Sequence, residues 1–506
     1  MARVLCALTI LSHLQAAHAG YRSLEIDCEE VIVGGGWAGV YFAYRRATSV
    51  EDPSKICVFE RTKRIGGRTY SVPVNDTEFT LDVGAYRFSP DMHLPGDLIL
   101  KHFQLPTECY EPNCPDASLD FPPPFLFNYS APMLRIVDNT TRLPSGYVTA
   151  IYRMTEKMKE LGAHIFLGHE LIDFAPAPLS SENSTLLFAS TDGQVKVESQ
   201  LVMLNLPRNY LLALPGVLRS LRPRVHGMLK CIVFDEPKSL FKNTTSTKPT
   251  SALSKAYFYY SDAWWHTKIN RTVGETPSNA FNPLPTSSGI FYGIHWNDGP
   301  VVCSDDAMSG KKRCHGFLET YYAVTNETFF ASISGQPTQP LGLLRAGNPT
   351  SDAIIARAHT ALLEFLEPIL LNASVAPEEI PKPELIVVGV WERPSYTREL
   401  LRAGYTAPTK VYYAPELSGS LAKACNLNGL TEDEYQLTVL QPFGRSSRIF
   451  LANNDYVALN VHYLWGDWAE ESLLMAERAL FRLGAAKPEW LDKAYYHKKV
   501  AIVEMM

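Results

Sequence analysis

The sequence predicts an α/β protein with two interleaved domains, one of them built on a parallel sheet. Three observations predict this class. The chain has 506 residues, which is too long for a single small hydrophobic core. An apolar strand, a glycine-rich turn and a helix follow one another between residues 30 and 48, and a second apolar strand ends at residue 60. Further strand patterns alternate with helical runs as far as residue 483.

The N-terminal segment has the pattern of a secretory signal peptide. Arg3 supplies a positive charge, Val4–Leu11 an apolar stretch, and Ala17-His18-Ala19 a cleavage site of small residues. We therefore expect residues 1–19 to be removed, leaving a chain that starts at Gly20. The alternative is a buried N-terminal strand or helix. No later stretch approaches the roughly 18 unbroken apolar residues of a membrane span, so we expect no transmembrane segment.

Glycosylation sequons and cysteines indicate the same secretory route. Acceptor sequons occur at Asn75, Asn128, Asn139, Asn183, Asn243, Asn270, Asn326 and Asn372. The cysteines beyond the signal peptide can form disulfides in that compartment. The close pairs Cys109–Cys114 and Cys303–Cys314 are the expected bridges. Cys57 and Cys231 lie in apolar strand patterns and are expected to be buried free thiols. We expect a secreted glycoprotein, or one in the lumen of the secretory pathway.

Composition and charge argue against several classes of function. Hydrophobic residues make up 46% and charged residues 20% of the chain, an ordinary globular balance. A formal net charge of −6 and the lack of a Lys/Arg stripe make nucleic acid an unexpected partner. No H-x-x-x-H, clustered C-x-x-C or G-x-S-x-G pattern occurs, so we expect no metal site and no serine nucleophile. The isolated His93, His295 and His462 are expected to be structural. The sequence carries no signal for an oligomeric state.

Residues 30–60 carry the pattern of a nucleotide-binding unit. Glu30–Val33 predicts a buried strand, and Gly34-Gly35-Gly36-Trp37-Ala38-Gly39 completes G-x-G-x-x-G before a helix predicted over Val40–Thr48. The first glycine permits a tight turn, the second lets the backbone approach a pyrophosphate, and the third lets helix pack on strand. A second strand, Ile56–Phe59, ends in Glu60, 21 residues after Gly39, where a carboxylate accepts hydrogen bonds from ribose. The alternative is a glycine-rich turn without a ligand.

The following residues distinguish FAD from NAD. Glu60 is followed by Arg61-Thr62-Lys63-Arg64-Ile65-Gly66-Gly67-Arg68 and then by Leu81-Asp82-Val83-Gly84-Ala85. This pattern resembles the flavin-containing amine oxidase superfamily, in which monoamine, polyamine and L-amino-acid oxidases and related desaturases share a Glu, a Gly-Gly-Arg segment and an Asp-x-Gly turn. The glycine doublet lets backbone lie close to a flat ring or a diphosphate, and Arg68 offers charge to phosphate. Plain surface charges are the alternative for Arg64 and Arg68.

The resemblance continues, more loosely, towards the C-terminus. Residues 146–166 look like the segment that returns to the FAD domain, and 201–207 like the strand before a proline turn. Residues 448–455 are similar to the family's last strand, but Asn453-Asn454 stands where Gly-Glu is usual. A helix is expected from about Gly466 to Leu483, with Asp467 in place of a common glycine. No cysteine occurs in residues 448–473, so we expect non-covalent FAD.

The cofactor-binding residues that the motifs and the resemblance imply are Gly34, Gly36, Trp37, Ala38, Gly39, Glu60, Arg61, Gly66, Gly67, Arg68, Gly84, Ala85, Tyr86, Asn454, Trp468 and Ala469.

A lysine and an arginine are the most informative candidates for catalysis. Lys230 lies in the apolar pattern His226–Phe234, which predicts a strand, and matches a lysine that holds a water against flavin N5 in amine-oxidising relatives. Burial lowers the pKa of a lysine; the alternative is an edge-strand lysine that reaches solvent. Arg87 resembles the arginine that binds the substrate carboxylate in L-amino-acid oxidases. A local salt bridge is the alternative for Arg87.

Aromatic residues are the expected walls of the substrate cavity. Trp468 and Trp391 match aromatic positions around the flavin in the family. A second wall can come from any of four tyrosines, which the sequence does not distinguish: Tyr396, Tyr405, Tyr412 and Tyr413.

The resemblance implies a discontinuous, Rossmann-like FAD-binding domain over residues 26–90, 145–218 and 438–484. A substrate domain over 91–144 and 219–437 is expected to contain a mixed or antiparallel sheet with helices. Residues 243–288 and 303–315 are rich in Ser, Thr, Asn and Pro, which predicts surface loops.

The leading hypothesis is an oxidase. An L-amino acid or amine becomes an imine, and O₂ becomes H₂O₂ when it reoxidises the flavin. The second hypothesis is a flavin desaturase or thioether oxidase with a lipid-like substrate on the same fold. The third is a secreted relic without catalysis that binds FAD, or that binds only glycans or partner proteins.

Overall fold

The computed structural model describes residues 22–23, 27–110, 133–177, 183–230, 252–273, 275–276, 293–305, 312–321, 329, 340–392, 411–412, 432–456, 458–459 and 469–501. Several predicted features lie outside these residues: the signal peptide, Cys114, Cys231, Tyr396, Tyr405, Tyr413, His462, Trp468, and the sequons at Asn128, Asn243 and Asn326.

The strands β1 to β22 are, in order, Arg22–Ser23, Glu30–Val33, Ile56–Glu60, Ser71–Pro73, Thr80–Asp82, Thr107–Cys109, Leu134–Ile136, His164–Leu167, Glu170–Ala175, Ser184–Ser190, Gly193–Ser199, Leu201–Leu204, Ala252–Tyr260, Glu275–Thr276, Gly293–His295, Val301–Asp305, Lys312–Tyr321, Leu341–Arg345, Leu385–Glu392, Val411–Tyr412, Ile449–Leu451 and Ala458–Leu459.

The helices α1 to α11 are Trp37–Ala47, His93–Asp97, Thr149–Glu160, Arg208–Ala213, Pro215–Ser220, Pro223–Lys230, Trp264–Thr267, Pro349–Ala373, Glu432–Leu440, Ala469–Arg482 and Lys493–Tyr495. Shorter helical turns occur at Pro53–Lys55, Leu98–His102, Pro377–Glu379, Asn454–Tyr456 and Tyr496–Val500.

A parallel sheet combines four strands from the N-terminal half of the chain with β21, which lies near the C-terminus. Its five strands have the order β21-β12-β2-β3-β8, and every pairing is parallel. Strand β12 is completely buried, as is β3, because helices cover a sheet of this kind on both faces. The strands predicted at 30–33 and 56–59 are confirmed, and helix α1 begins at Trp37 rather than at Val40. The predicted α/β class is therefore correct.

A second, seven-stranded sheet belongs to the region predicted as the substrate domain. Its order is β14-β15-β17-β13-β19-β18, with β16 paired to β17. Of the two predicted forms, mixed and antiparallel, the pairings among the described residues are all antiparallel. The long helix α8 packs on one face, where Leu362 and Phe365 join Phe258 and Ile386 in one core. The opposite face contacts the turn after β5, as described below.

Both predicted surface loops were wrong in part. Ala252–Tyr260 lies inside the predicted loop 243–288 but forms β13, which pairs with β17 on one side and β19 on the other. Residues 303–305 and 312–315, in the second predicted loop, belong to the β16–β17 hairpin. Ser- and Thr-rich flanks suggested loops, whereas pairing on both sides and the burial of Ala256, Phe258 and Tyr260 determine the strand.

The strand predicted over residues 226–234 was also wrong where the structure describes it. Helix α6 covers Pro223–Lys230 and begins with a proline, which is well tolerated in a first turn. Val225, Met228 and Leu229 are buried at helical spacing, so one face of the helix accounts for the apolar pattern. Lys230 is therefore the last residue of a helix and not a strand residue.

The disulfides agree with the predictions only in part. The predicted Cys303–Cys314 bridge is confirmed and joins opposite positions of β16 and β17. The prediction of a free thiol at Cys57 was wrong, because Cys57 bonds to Cys28, with a Cα–Cα distance of 5.7 Å. Cys28 lies just before β2, which runs beside β3, and this neighbourhood brings the two sulfurs together. Cys109 is also disulfide-bonded.

The predicted sequons that the structure describes lie where a glycan has access. Asn75, Asn139, Asn270 and Asn372 are exposed, and Asn183 is partly exposed. Among the described residues, no helix has both the length and the apolar character needed to cross a membrane.

A buried glutamate connects helix α10 to the C-terminal segment. Glu470 accepts a hydrogen bond from the Leu94 amide at 2.8 Å and another from the Tyr495 hydroxyl. Burial raises the pKa of this carboxyl to about 8, although the two hydrogen bonds act in the opposite direction. The folded protein therefore keeps Glu470 largely protonated at neutral pH.

We expect Glu470→Gln to remove a pH dependence of stability. A carboxyl with a raised pKa in the folded state contributes stability that is complete below pH 4.5 and is lost as the pH rises to about 8. In the native protein this contribution falls by a few kcal/mol over that range. Urea unfolding from pH 4.5 to 8 should give a flatter curve for the variant. Glu489→Gln, at an exposed position, is the control; identical curves for native protein and Glu470→Gln would refute the prediction.

Candidate functional site

The turn between β2 and α1 has the geometry of a phosphate-binding loop. Gly34 has φ +101° and donates its amide to the Phe59 carbonyl at 2.8 Å. A Cβ on Gly39 would lie 2.0 Å from the Gly34 carbonyl oxygen, so only glycine allows this close packing. Gly36 precedes the first turn of α1, which has neither a side-chain cap nor an acidic residue. The positive helix end is thus available to an anion.

Glu60 is fixed beside this turn, at the end of β3. Its Oε2 accepts the Gly35 amide and its Oε1 accepts the Thr62 amide, both at 2.8 Å. The side chain is nearly buried, so the carboxylate has a defined position next to the glycine turn. That position suits a ribose acceptor.

The Gly66-Gly67 doublet folds back onto the same turn. The Gly66 amide donates to the Gly35 carbonyl at 2.8 Å, and both glycines have positive φ angles, of 121° and 58°. A Cβ on Gly67 would lie 3.1 Å from the Gly36 Cα. Backbone therefore lies against backbone here, and Trp37 adds a hydrogen bond from its Nε1 to the Thr69 hydroxyl at 2.8 Å.

Arg68 connects the doublet to the C-terminal part of the chain. Its guanidinium forms an ion pair with Asp455 at 2.7 Å and donates to the side-chain oxygens of Asn453 and Asn454, both at 2.6 Å. These contacts hold the Arg68 side chain in position, so it is not a plain surface charge, and they bring Asn454 close to the residue that follows the glycine doublet. Asn205 belongs to the same group, since it donates to the Gly34 carbonyl at 3.1 Å.

Two neighbouring arginines are also held by specific contacts. Arg61 donates to the Tyr210 hydroxyl at 2.6 Å and stacks on that ring. Arg64 donates to the Gly67 carbonyl at 2.7 Å and lies 3.8 Å above the centre of the Tyr70 ring. The surface-charge alternative therefore does not hold for Arg64 either.

The Asp-x-Gly turn is continuous with the glycine doublet. The Ala85 amide donates to the Arg68 carbonyl at 3.0 Å, and a Cβ on Gly84 would lie 2.2 Å from that oxygen. Ala85 is exposed although Gly84 and Tyr86 on either side of it are buried. The turn thus extends the nucleotide site towards the antiparallel sheet.

Lys255, on β13, is the residue that the sequence-based reasoning missed. Its Nζ donates to the backbone carbonyls of Asp82 at 3.1 Å and Gly84 at 2.7 Å, and lies 3.2 Å from the centre of the Tyr86 ring. Burial lowers the pKa of Lys255 to about 8, while the carboxylates, Glu319 foremost, act in the opposite direction. The sequence pattern that could have indicated Lys255 is a single lysine in the aromatic run Ala252–Tyr260. A single lysine in an apolar run is also the pattern on which the prediction for Lys230 was based.

Trp391 lies on the same face of the antiparallel sheet. The side chain is buried on β19 and its Nε1 donates to the Val83 carbonyl at 2.8 Å. A Cβ on Gly389, two residues earlier, would lie 2.2 Å from that carbonyl oxygen, so glycine permits the close approach of sheet and turn. Trp391 and Lys255 therefore contact successive parts of one turn.

Arg87 follows this turn and faces Asp298. The Arg87 Nη1 and the Asp298 Oδ2 are 3.9 Å apart, and the guanidinium also lies 4.8 Å from the centre of the Tyr86 ring. The expectation that His295 is isolated was wrong, because its Nδ1 lies 3.2 Å from the same oxygen. Burial acts to raise the pKa of Asp298, but His295 and Arg87 outweigh it and hold the pKa below the ordinary value.

The structure brings most of the predicted residues into one continuous site. It comprises the glycine turn, Glu60, the doublet with Arg68, the Gly84–Arg87 turn, Asn454 and Trp391. Ala469 is the first, buried residue of α10, which packs against the Asn454–Tyr456 turn. Trp468 and Tyr396 fall outside the described residues, and only the backbone of Lys230 is described.

Comparisons with known proteins agree with the N-terminal geometry. A family model described as an NAD(P)-binding Rossmann-like domain matches residues 32–94. No curated protein matches the sequence. Similar solved structures include three of putrescine oxidase: a triple mutant, the wild type bound to putrescine and a double mutant, with TM-scores of 0.48, 0.46 and 0.47. Each is 13% identical, and each comparison covers 92% of this chain and 100% of the other. Residues 32–94 thus belong to a Rossmann-like nucleotide-binding domain.

Proposed function

We propose that this protein is an FAD-dependent oxidase that converts the C–N bond of an L-amino acid or amine to an imine and reduces O₂ to H₂O₂. The observation that carries the proposal is the position of Lys255. A buried lysine with a lowered pKa lies against the turn that continues directly from the nucleotide site. Perturbed titratable groups beside a cofactor site are typical of catalytic centres.

The residues present fit a non-covalently bound FAD. The backbone of Gly34–Gly39 and the start of α1, whose first turn has no acidic residue, would hold the pyrophosphate. Glu60 would accept a ribose hydroxyl, and the backbone of the doublet and of Gly84-Ala85 would lie beside the flat ring. Bound FAD would supply a hydride acceptor that O₂ can reoxidise.

The side chains around the turn suit the requirements of amine oxidation. Above about pH 8, Lys255 is a neutral amine that can accept a proton or hold a water molecule. Trp391 helps to exclude bulk water from the face of the sheet that Lys255 occupies. Arg87 lies at the end of this turn, 3.9 Å from Asp298, and its planar guanidinium is suited to a substrate carboxylate.

We also propose that the protein is a secreted glycoprotein. The Cys28–Cys57 and Cys303–Cys314 bridges support an oxidising compartment. The accessible positions of the described sequons support N-glycosylation.

Anaerobic bleaching of the purified holoprotein tests the function. The panel contains L-amino acids, primary amines, polyamines and long-chain thioethers. At least one C–N substrate should bleach the flavin absorption, and on admission of air it should yield one H₂O₂ per imine formed.

Three other results would contradict the proposal. A colourless protein would refute the proposal that FAD is bound. Bleaching by thioethers alone would favour the thioether-oxidase alternative. A flavin that no compound bleaches would favour a relic without catalytic activity.

A further inference from the structure

Glu319 is a buried carboxylate that the proposed mechanism does not use. It lies on β17, opposite Tyr257 of β13 and His295 of β15, and its side chain has no solvent exposure. Its Oε1 is 4.0 Å from the Lys255 Nζ. Within the part of the chain that the structure describes, neither carboxylate oxygen of Glu319 has a hydrogen-bond partner. A buried carboxylate without hydrogen bonds is costly, so a purely structural role is a poor explanation for it.

Other buried carboxylates of this chain show what a structural role looks like. Glu477 accepts hydrogen bonds from Tyr41 and Arg45. Asp82 accepts them from Ser71 and from the Tyr147 amide. Glu319, by contrast, contributes a charge near Lys255 rather than a hydrogen bond, and Lys255 already donates to two carbonyls.

We propose that Glu319 is a positioning residue for Lys255. Its charge keeps the lysine head group against the carbonyls of Asp82 and Gly84 and determines the pH at which that head group becomes neutral. The effect of Glu319 on catalysis rests on the proposed function. The electrostatic effect itself is a property of the folded chain.

The surrounding charges are consistent with this role. Burial raises the pKa of Glu319 to about 7; Lys255 lowers it and Asp298 raises it. Burial lowers the pKa of Lys255 to about 8, and Glu319 is the strongest influence in the opposite direction. The two groups therefore change charge in neighbouring pH ranges and must be treated as a coupled pair. The titratable and charged groups that face the pair from the packed elements are Asp82, Tyr86, Arg87, Tyr110, Tyr257, His295 and Asp298.

Unfolding by urea as a function of pH tests the inference without any turnover. Glu319 contributes stability that is complete below pH 4.5 and is lost as the pH rises to about 7. Lys255, whose pKa is lowered, makes stability rise with pH between about 8 and 10.5. In the Glu319→Gln holoprotein, the first change should vanish. The rise from Lys255 should begin about one pH unit lower, since a nearby opposite charge shifts a pKa by this amount or more.

The catalytic readout is the pH profile of kcat, whose rise should move to lower pH by the same amount, about one pH unit. Glu319→Met serves if the Gln variant fails to fold. The control is Glu384→Gln, at an exposed position immediately before β19 of the same sheet. Adding Lys255→Met to Glu319→Gln should abolish the shifted rise. Unchanged unfolding curves in both Glu319 variants would overturn the inference. A shifted curve without peroxide formation would uphold it and refute only the proposed function, whereas peroxide formation without a shift would refute the inference alone.

Discussion

Replacing Lys255 by methionine is expected to lower kcat by about a thousandfold, within the range that a positioned acid–base group contributes. Methionine keeps the length of the side chain but removes the proton acceptor, so the rise of kcat through pH 8 should also disappear. The carbonyls of Asp82 and Gly84 lose a donor, which costs about 1–3 kcal/mol of stability. The rate of peroxide formation, its pH profile and urea unfolding measure the three effects separately, and flavin content shows whether the cofactor is still bound.

Substitutions of two other lysines serve as comparisons for Lys255→Met. Lys268 is exposed and donates to the Glu379 carbonyl at 2.6 Å, so Lys268→Met should leave kcat and its pH profile unchanged. Lys230, at the end of α6, was the lysine that the family resemblance indicated. We expect Lys230→Met to retain most of the activity. The assignment of Lys255 would be wrong if Lys230→Met were inactive and Lys255→Met were active.

Replacing Gly36 by alanine is expected to weaken FAD binding on the order of a hundredfold while the fold persists. A Cβ there would meet the Asn205 side chain at 3.2 Å and the Gly67 Cα at 3.9 Å, so the protein itself has nearly enough room. The added methyl group would instead occupy the approach of the pyrophosphate and cost one or two charge-assisted hydrogen bonds. Flavin content and the dissociation constant of the reconstituted apoprotein measure the effect.

Matched glycine substitutions separate cofactor binding from folding. Gly39→Ala should destabilise the protein itself, because its Cβ would lie 2.0 Å from the Gly34 carbonyl oxygen. Gly193→Ala, in the β10–β11 hairpin, has open space but a φ of +118°, so it should cost about 1 kcal/mol of stability and leave FAD bound. Full flavin content in Gly36→Ala would show that no diphosphate lies on this turn.

The nucleotide-binding unit was predictable from sequence because its determinants are local. Strand, turn, helix and Glu60 occur within about thirty residues, and the glycine positions follow from backbone geometry. The residues that determine the strands of the antiparallel sheet, by contrast, are far apart in the sequence. Whether Lys255 or Lys230 belongs to a buried strand depends on β17 and β19, which lie more than fifty residues further along the chain.

Contacts between charged residues that are far apart in the sequence could not be predicted from the sequence either. The phosphate role predicted for Arg68 took no account of Asp455, which lies 387 residues away and shares its guanidinium. The Cys28–Cys57 bridge depends on the parallel pairing of β2 with β3, whereas the shorter Cys303–Cys314 pair could be inferred from proximity in sequence. For these two disulfides, a separation of 11 residues made the bridge predictable, whereas a separation of 29 residues did not.

The edge strand β21 and its neighbour Asp455 have a consequence for biosynthesis. Ribosomes make the glycine turn first and the residues that complete its surroundings some four hundred positions later. Until residue 455 has been translated, Arg68 lacks its carboxylate partner and β12 lacks a neighbour. Under the proposed function, FAD would therefore bind only to the completed chain, and a ribosome-bound nascent chain would expose an incomplete sheet edge to chaperones.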